Sequence, residues 1–96
     1  MPALGLALAL VAAAAAAADI VRGREIYAIH CASCHGSNGY PVVPGAPDFT
    51  RPDALMRPDN VLVQAVRFGR RAMPGYQGLL RDQEMYDVVA YLRTLR

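Results

Sequence analysis

Five consecutive residues constrain this chain more than any others: Cys31, Ala32, Ser33, Cys34 and His35. Two thiols three positions apart, followed at once by an imidazole, are typical of a covalent attachment site for c-type haem. Positions i, i+3 and i+4 of a helical turn share one face, so both sulfurs and the ring point the same way. The sulfurs can then form thioether bonds to the two vinyl groups of one porphyrin, and His35 can bind the iron as its proximal ligand.

Other kinds of site also use two cysteines at this spacing. A thioredoxin-like redox pair needs a preceding strand, whereas a helical pattern precedes Cys31. A zinc site needs four ligands, and the chain's two histidines, His30 and His35, flank the same turn, which is poor geometry for a closed tetrahedron. A disulfide between Cys31 and Cys34 would close a very small loop and stabilise little. The motif favours haem attachment over these three and over two cysteines that are buried by chance.

The N-terminal segment predicts the compartment. Residues 1–18 are apolar throughout, and the three alanines before Asp19 fit the small-residue pattern of a secretory cleavage site, although no Lys or Arg precedes the apolar run. The run is short for a membrane span and rich in weakly apolar alanine, so cleavage is favoured over an uncleaved anchor. In both cases we expect the folded part, residues 19–96, to lie outside the cytosol, in the periplasm.

The part that remains is small. The 96 residues of the chain, less the first 18, leave 78 for a single domain. A core of that size is marginal for a polypeptide that folds alone, and a buried porphyrin would supply the missing apolar surface. We therefore predict that the polypeptide without haem is largely unfolded. The net charge of +2 gives no reason to expect nucleic acid as a partner.

Helical periodicity predicts three helices and no strand in the mature part. The first covers about residues 20–31 with Asp19 as its N-cap, the second about residues 60–68, and the third about residues 82–95. Gly23 inside the first helix is costly, by about 1 kcal/mol relative to alanine, which indicates the close approach of another helix.

The connections between these helices carry the turn residues. Glycines and prolines predict an irregular loop over residues 36–57, with one short helical turn near residues 53–56. So long a loop must pack on something in a compact domain, and a haem face and edge would serve. After the second helix, Pro74 keeps Met73 out of the helical region, so that segment is extended or turn-like.

Taken together, these pieces give the mature part a resemblance to the class I monohaem cytochromes c of bacteria, over essentially all of its length. The haem motif is highly specific, whereas the other pieces are individually weak but follow the family's order. The matching pieces are Gly-Arg-Glu-Ile-Tyr (23–27), Cys-Ala-Ser-Cys-His-Gly (31–36), Ala-Pro-Asp-Phe (46–49), Val-Arg-Phe-Gly (66–69), Met-Pro-Gly-Tyr (73–76) and Met-Tyr-Asp-Val-Val-Ala-Tyr-Leu-Arg-Thr-Leu (85–95).

The resemblance implies a fold. It is the all-α small cytochrome c fold, in which the N- and C-terminal helices cross near a right angle and loops wrap around one covalently bound haem. In the family a glycine on the first helix lets an aromatic residue of the last helix approach. Gly23 and Tyr91 stand at those positions, and Tyr27 would line the same contact. The last helix usually opens with a Ser or Thr cap, and we expect Asp82 to take that role here.

The resemblance also implies an axial methionine. Met85 lies on the apolar stripe of the last helix and is expected in the core, and Met56 lies in the loop as a gap-filling or exposed residue. Met73 precedes a proline, as the family's ligand does. The expected haem-binding residues are therefore Cys31, Cys34, His35 and Met73, of which His35 and Met73 bind the iron.

Two further contacts follow from the resemblance. The second ring nitrogen of His35 is expected to donate to a proline carbonyl, with Pro47 as the best match and Pro44 as the alternative. Three arginines near the ligand loop are open to three roles, namely pairing with haem propionates, attracting an acidic partner, or simply being solvated. These arginines are Arg67, Arg70 and Arg71.

A haem iron with both axial positions filled cannot bind substrate, so the chain is expected to be a one-electron carrier and not an enzyme. Its partners would be redox proteins, a donor and an acceptor, in a periplasmic respiratory or dehydrogenase chain, with membrane contact only if residues 1–18 are retained. Two alternatives stay open. One is an electron-entry subunit of a larger oxidoreductase complex, and the other is a haem enzyme or gas sensor whose iron lacks Met73.

Overall fold

A computed structural model describes Gly5 and residues 17–96 of the chain. Its helices are α1 (Ile20–His30), α2 (Ala32–His35), α3 (Asp59–Phe68) and α4 (Asp82–Leu92), with a 3-10 turn at Pro52–Leu55. Within this described part no strand forms, which confirms the expected all-α class. The predicted signal or anchor segment, residues 1–18, lies outside the described residues except for Gly5, Ala17 and Ala18. None of the helices described is long and apolar enough to span a bilayer.

Helix α1 begins where the sequence predicts. Asp19 has extended backbone angles, and its carboxylate accepts a hydrogen bond from the Arg22 backbone N–H at 3.0 Å. This contact satisfies one of the free donors at the helix start and confirms Asp19 as the N-cap. The backbone N–H of Asp19 donates to Asp87 Oδ1 at 2.8 Å, so the N-cap of α1 is bonded directly to α4.

Helices α1 and α4 pack together at Gly23. A Cβ at this position would overlap the carbonyl oxygen of Asp87 and would lie 3.0 Å from the Cβ of Tyr91. The rings of Tyr27 and Tyr91 have their centroids 5.3 Å apart at an angle of 55°. The expected contact of Gly23 with Tyr91, lined by Tyr27, is therefore confirmed, and it accounts for a glycine in the middle of a helix.

The start of α4 differs from the prediction. Asp82 is not the cap; Glu84 instead accepts a hydrogen bond from the backbone N–H of Arg81 at 3.0 Å and forms an ion pair with Arg22 at 2.8 Å. These donors hold the pKa of Glu84 down, at about 2, with the Arg81 backbone N–H as the largest cause and Arg22 next. One nearly buried carboxylate thus caps α4 and joins it to α1.

The end of α4 also differs, because the helix stops at Leu92 and not at residue 95. Thr94 N–H donates to the carbonyl of Tyr91 at 2.9 Å, which tightens the last turn. The Arg93 guanidinium reaches the carbonyls of Leu55 and Arg57 at 2.9 and 2.8 Å and the carboxylate of Asp59 at 2.7 Å. This one side chain fixes the 3-10 turn and the start of α3 to the end of α4.

The connection over residues 36–57 is irregular, as predicted, with its helical turn one residue earlier than expected. The hydrophobic core joins all of these segments, since α1, α3, α4 and the loops each contribute to it. Its buried members are Ile26, Tyr27, Phe49, Leu55, Val63, Val66, Tyr76, Leu80, Met85, Val88, Val89 and Leu92.

Candidate haem-attachment site

The two cysteines lie at the break between α1 and α2. The carbonyl of Cys31 accepts hydrogen bonds from the backbone N–H of Cys34 at 3.2 Å and of His35 at 2.9 Å. The three residues therefore share a single turn, as the spacing predicts, and residues 31–35 are called the attachment turn below. Cys31 is half-buried and Cys34 is exposed, and both thiols are free.

The environment of the thiols argues against the competing kinds of site. Burial raises the pKa of the Cys31 thiol to about 11, with Cys34 as a lesser cause, so it is not an activated thiolate of the thioredoxin kind. Among the residues that the structure describes, no group of three or more His, Cys, Asp or Glu side chains could hold a metal ion. This part of the chain therefore offers no ligand set for zinc, and Cys31 and Cys34 are not joined by a disulfide in this structure.

His35 is buried at the end of α2. Its side chain is 8% exposed and lies stacked on Phe49, with ring centroids 4.6 Å apart and an angle of 21° between the planes. Burial lowers the pKa of His35, which keeps the imidazole neutral, the form that binds a metal. Its Nδ1 is buried without a hydrogen-bond partner. A ring with bonding capacity that no protein group uses fits a haem ligand, and Phe49 is a neighbour that the sequence did not reveal.

The expected hydrogen bond from His35 to a proline carbonyl is not formed, so neither Pro47 nor Pro44 holds the ring in this structure. Both prolines are exposed. The loop is attached instead through the carbonyl of Cys34, which accepts from the backbone N–H of Val42 at 3.0 Å. This bond fixes the loop to the backbone of the attachment turn and leaves the contact with the His35 ring to Phe49.

Tyr27 holds the other end of the attachment turn. Its hydroxyl donates to the carbonyl of Gly36, directly after His35. Burial raises the pKa of Tyr27 to about 12, which keeps the hydroxyl protonated and able to donate. The residue that packs against α4 thus also positions the turn.

The Met73 loop, residues 69–76, is tight. Gly69 ends α3 at φ +76°, where a side chain would collide with the carbonyl oxygen of Met73. Arg70 and Met73 exchange two backbone hydrogen bonds, at 3.1 and 3.0 Å. The side chain of Met73 is half-buried and packs on the core. As expected, Met85 is fully buried and Met56 is 76% exposed.

Tyr76 connects this loop to the attachment turn. Its hydroxyl donates to the carbonyl of His30 at 2.9 Å, and the His30 and Tyr76 rings meet edge to face with centroids 5.5 Å apart. Its backbone N–H donates to the carbonyl of Val66 in α3 at 2.9 Å. Tyr76 belongs to the matching piece Met-Pro-Gly-Tyr (73–76), but the sequence did not indicate its contact with His30.

The three arginines near the Met73 loop differ in their contacts. Arg67 forms an ion pair with Asp82 at 2.7 Å and a hydrogen bond with Gln77 at 3.2 Å, so it joins α3 to α4. Arg70 and Arg71 are exposed, and Arg71 has a left-handed backbone with φ 56°. Of the three roles considered, simple solvation therefore does not apply to Arg67.

Residues 18–92 match the protein-family model described as cytochrome C oxidase, cbb3-type, subunit III. This chain belongs to the cytochrome c family. It is 33% identical over 80 residues to cytochrome c6 of Thermosynechococcus vestitus, covering 79% of this chain and 70% of that one. It is 32% identical over 79 residues to cytochrome c6 of Parathermosynechococcus lividus, covering 78% and 88%.

Two solved structures are similar as well. Cytochrome c6 from the diatom Phaeodactylum tricornutum superposes with a TM-score of 0.69 at 28% identity, covering 79% of this chain and 92% of that one. A protein named KustC0563 c-type cytochrome superposes with a TM-score of 0.71 at 23% identity, covering 77% and 96%, and shares the fold. The small cytochrome c fold is thereby confirmed. As a monohaem cytochrome c, this protein carries one covalent c-type haem with its iron and is an electron carrier, not an enzyme.

Proposed function

We propose that this cytochrome c carries single electrons between redox partner proteins outside the cytosol, through a haem bound by Cys31, Cys34, His35 and Met73. The observation that supports this most strongly is the buried, neutral His35 with an unused ring nitrogen, directly after two free thiols on one turn. The haem supplies a reversible one-electron exchange at its iron.

Each residue has a distinct role in this proposal. Cys31 and Cys34 form the thioether bonds, and their common turn sets the position of the porphyrin relative to His35. The imidazole of His35 is kept neutral by burial and is oriented by Phe49. Met73 is the remaining methionine in a suitable place, because Met85 is enclosed in the core and Met56 faces solvent. Both axial positions are then filled, and electron transfer through the haem edge remains.

The rival proposal, an open iron site with substrate, requires a cavity beside the haem. The structure has an open depression of about 580 Å³, but residues of the attachment turn and the Met73 loop do not line it. Its lining residues are Pro52, Leu55, Met56, Arg57, Pro58, Arg93 and Arg96. This depression therefore does not offer a substrate cavity at the proposed haem site.

Replacement of the proposed ligand tests this proposal. Met73→Ala in the ferric holoprotein is expected to abolish the weak far-red absorption of methionine bound to iron. It should also lower the reduction potential, by on the order of 0.1 V, because a thioether ligand favours ferrous iron. Met56→Ala is the matched control and should change neither. A far-red band that persists in Met73→Ala would show that Met73 is not the ligand.

A second function is favoured by one observation, the match to a family model described as an oxidase subunit. In that case the partner is fixed and the chain is the electron-entry subunit of a larger complex. Co-purification with a large subunit from native membranes would support this second function. A monodisperse holoprotein in the soluble fraction would support the mobile carrier.

We further propose that the chain is exported to the periplasm and cleaved before Asp19. The support is the apolar segment before Asp19 and the helix that begins directly after it. Mass spectrometry of the protein from its native host would give the mature N-terminus. A mass that retains residues 1–18 would indicate a membrane anchor instead.

A further inference from the structure

The Met73 loop has two ends, and the structure holds them differently. At its start, Gly69 N–H continues the helical ladder by donating to the carbonyl of Ala65 at 2.9 Å. At its end, Tyr76 is nearly buried, with 9% of its surface exposed, and its backbone N–H donates to the carbonyl of Val66. Both of these contacts attach the loop to α3. Neither of them fixes the position of the loop relative to the attachment turn.

The Tyr76 hydroxyl joins the loop to the attachment turn. In an uninterrupted helix the carbonyl of His30 would accept from the N–H of Cys34, four residues on. Here the Cys34 N–H donates to the carbonyl of Cys31 instead, because the helix breaks at Cys31. The freed carbonyl of His30 accepts from the Tyr76 hydroxyl at 2.9 Å. The break that places the two thiols on one turn thus also creates the acceptor for Tyr76.

We infer that Tyr76 is a positioning residue, which holds the Met73 loop against the haem-attachment turn through its hydrogen bond to the His30 carbonyl. The inference rests on the proposed ligation of the iron by Met73. Met73 lies three residues before Tyr76, with only Pro74 and Gly75 between them. A movement of the loop that withdraws the thioether pulls on the Tyr76 anchor, so the hydrogen bond opposes loss of the ligand.

The consequence is measurable as competition for the iron. Imidazole added to the ferric holoprotein binds only when Met73 has moved away, so its apparent affinity reports the fraction of molecules with an open loop. Tyr76→Phe keeps the buried ring and removes only the hydroxyl. We expect the apparent affinity for imidazole to rise by about three- to tenfold, the factor that corresponds to one neutral hydrogen bond.

Two further tyrosines supply the controls. Tyr86→Phe makes the same chemical change on the partly exposed face of α4 and should leave the imidazole affinity at the wild-type value. Tyr27→Phe removes another buried hydroxyl, which donates to the carbonyl of Gly36 at the opposite end of the attachment turn and not to a group that carries the Met73 loop. It should lower the thermal midpoint of the holoprotein while raising the imidazole affinity less than Tyr76→Phe does.

The outcomes separate this inference from the function on which it rests. A wild-type holoprotein without the far-red band, or one whose imidazole affinity equals that of Met73→Ala, overturns the ligation by Met73 and the inference with it. A wild-type band together with equal imidazole affinities in Tyr76→Phe and Tyr86→Phe overturns the inference alone. Equal rises in Tyr76→Phe and Tyr27→Phe would show a general loss of stability and would also overturn it.

Discussion

The helix pair α1–α4 and the loops around the attachment turn are built on different principles. The helix pair meets its packing and polar requirements with protein groups, since Gly23 fits against Asp87, and Glu84 satisfies both Arg22 and the start of α4. The attachment turn carries a half-buried thiol, an exposed thiol and a buried imidazole nitrogen without a protein partner. The difference shows that the polypeptide specifies its own helix crossing but leaves the interior of the haem site to the cofactor.

The largest expected effect comes from removing the cofactor. Cys31→Ala combined with Cys34→Ala should abolish covalent haem, and the far-ultraviolet circular dichroism should lose about half or more of its helical signal, because so small a core is marginal alone. Ser33→Ala within the same motif is the control and should keep both. A native helix content in the double variant would show that the haem is not needed for folding.

The helix crossing should respond to a single methyl group. Gly23→Ala places a Cβ against the backbone carbonyl of Asp87, which cannot move without shifting α4. We expect a loss of about 3 kcal/mol in the free energy of unfolding of the holoprotein, measured with denaturant. Gly45→Ala is the matched control, since nothing lies near that position and only its φ of +85° opposes the change. Equal losses in the two variants would contradict the close crossing.

The smallest expected effect is a dependence on pH. The pKa of Glu84 is about 2 in the folded protein, below its ordinary value near 4.5, so the carboxylate stabilises the fold above about pH 4.5. That stabilisation is lost as the pH falls from about 4.5 to 2. Glu84→Gln should therefore be less stable than the wild type at pH 6, with the difference disappearing toward pH 2. Glu25→Gln, which removes an exposed partner of Arg22, is the control.

Thermal unfolding of the holoprotein at several pH values measures this difference. A gap between wild type and Glu84→Gln that stays constant from pH 6 to pH 2 would contradict the ionised role of Glu84. A gap of equal size in Glu25→Gln would show that Arg22, and not the cap of α4, is responsible.

Much of the fold was accessible from the sequence because it depends on local patterns. Helical periodicity located α1, α3 and α4, and Gly23 predicted the crossing because a glycine inside a helix needs a reason. The end of α4 was placed too late, because the apolar stripe continues to Leu95 while the backbone already tightens after Leu92. Periodicity describes which side chains face the core and does not report where the hydrogen-bond ladder ends.

The attachment turn was also accessible, since Cys31, Cys34 and His35 form a motif at fixed spacing. The contacts that support it were not. Tyr76 meets the carbonyl of His30 from 46 positions away, and Glu84 meets Arg22 from 62 positions away. Such pairs depend on how the helices pack, and no local pattern encodes them. The expected proline contact of His35 failed for the same reason, because the course of an irregular loop is set by tertiary contacts.

The claim on which all of this depends is that one haem is bonded to both cysteines. Mass spectrometry of a tryptic digest of the holoprotein tests it most directly. Arg51 and Arg57 are each followed by proline, so trypsin should release residues 25–67 as one peptide that contains both thiols. We predict that this peptide carries the mass of one haem after acid denaturation. A peptide of unmodified mass, with the pigment extracted into organic solvent, would contradict the account.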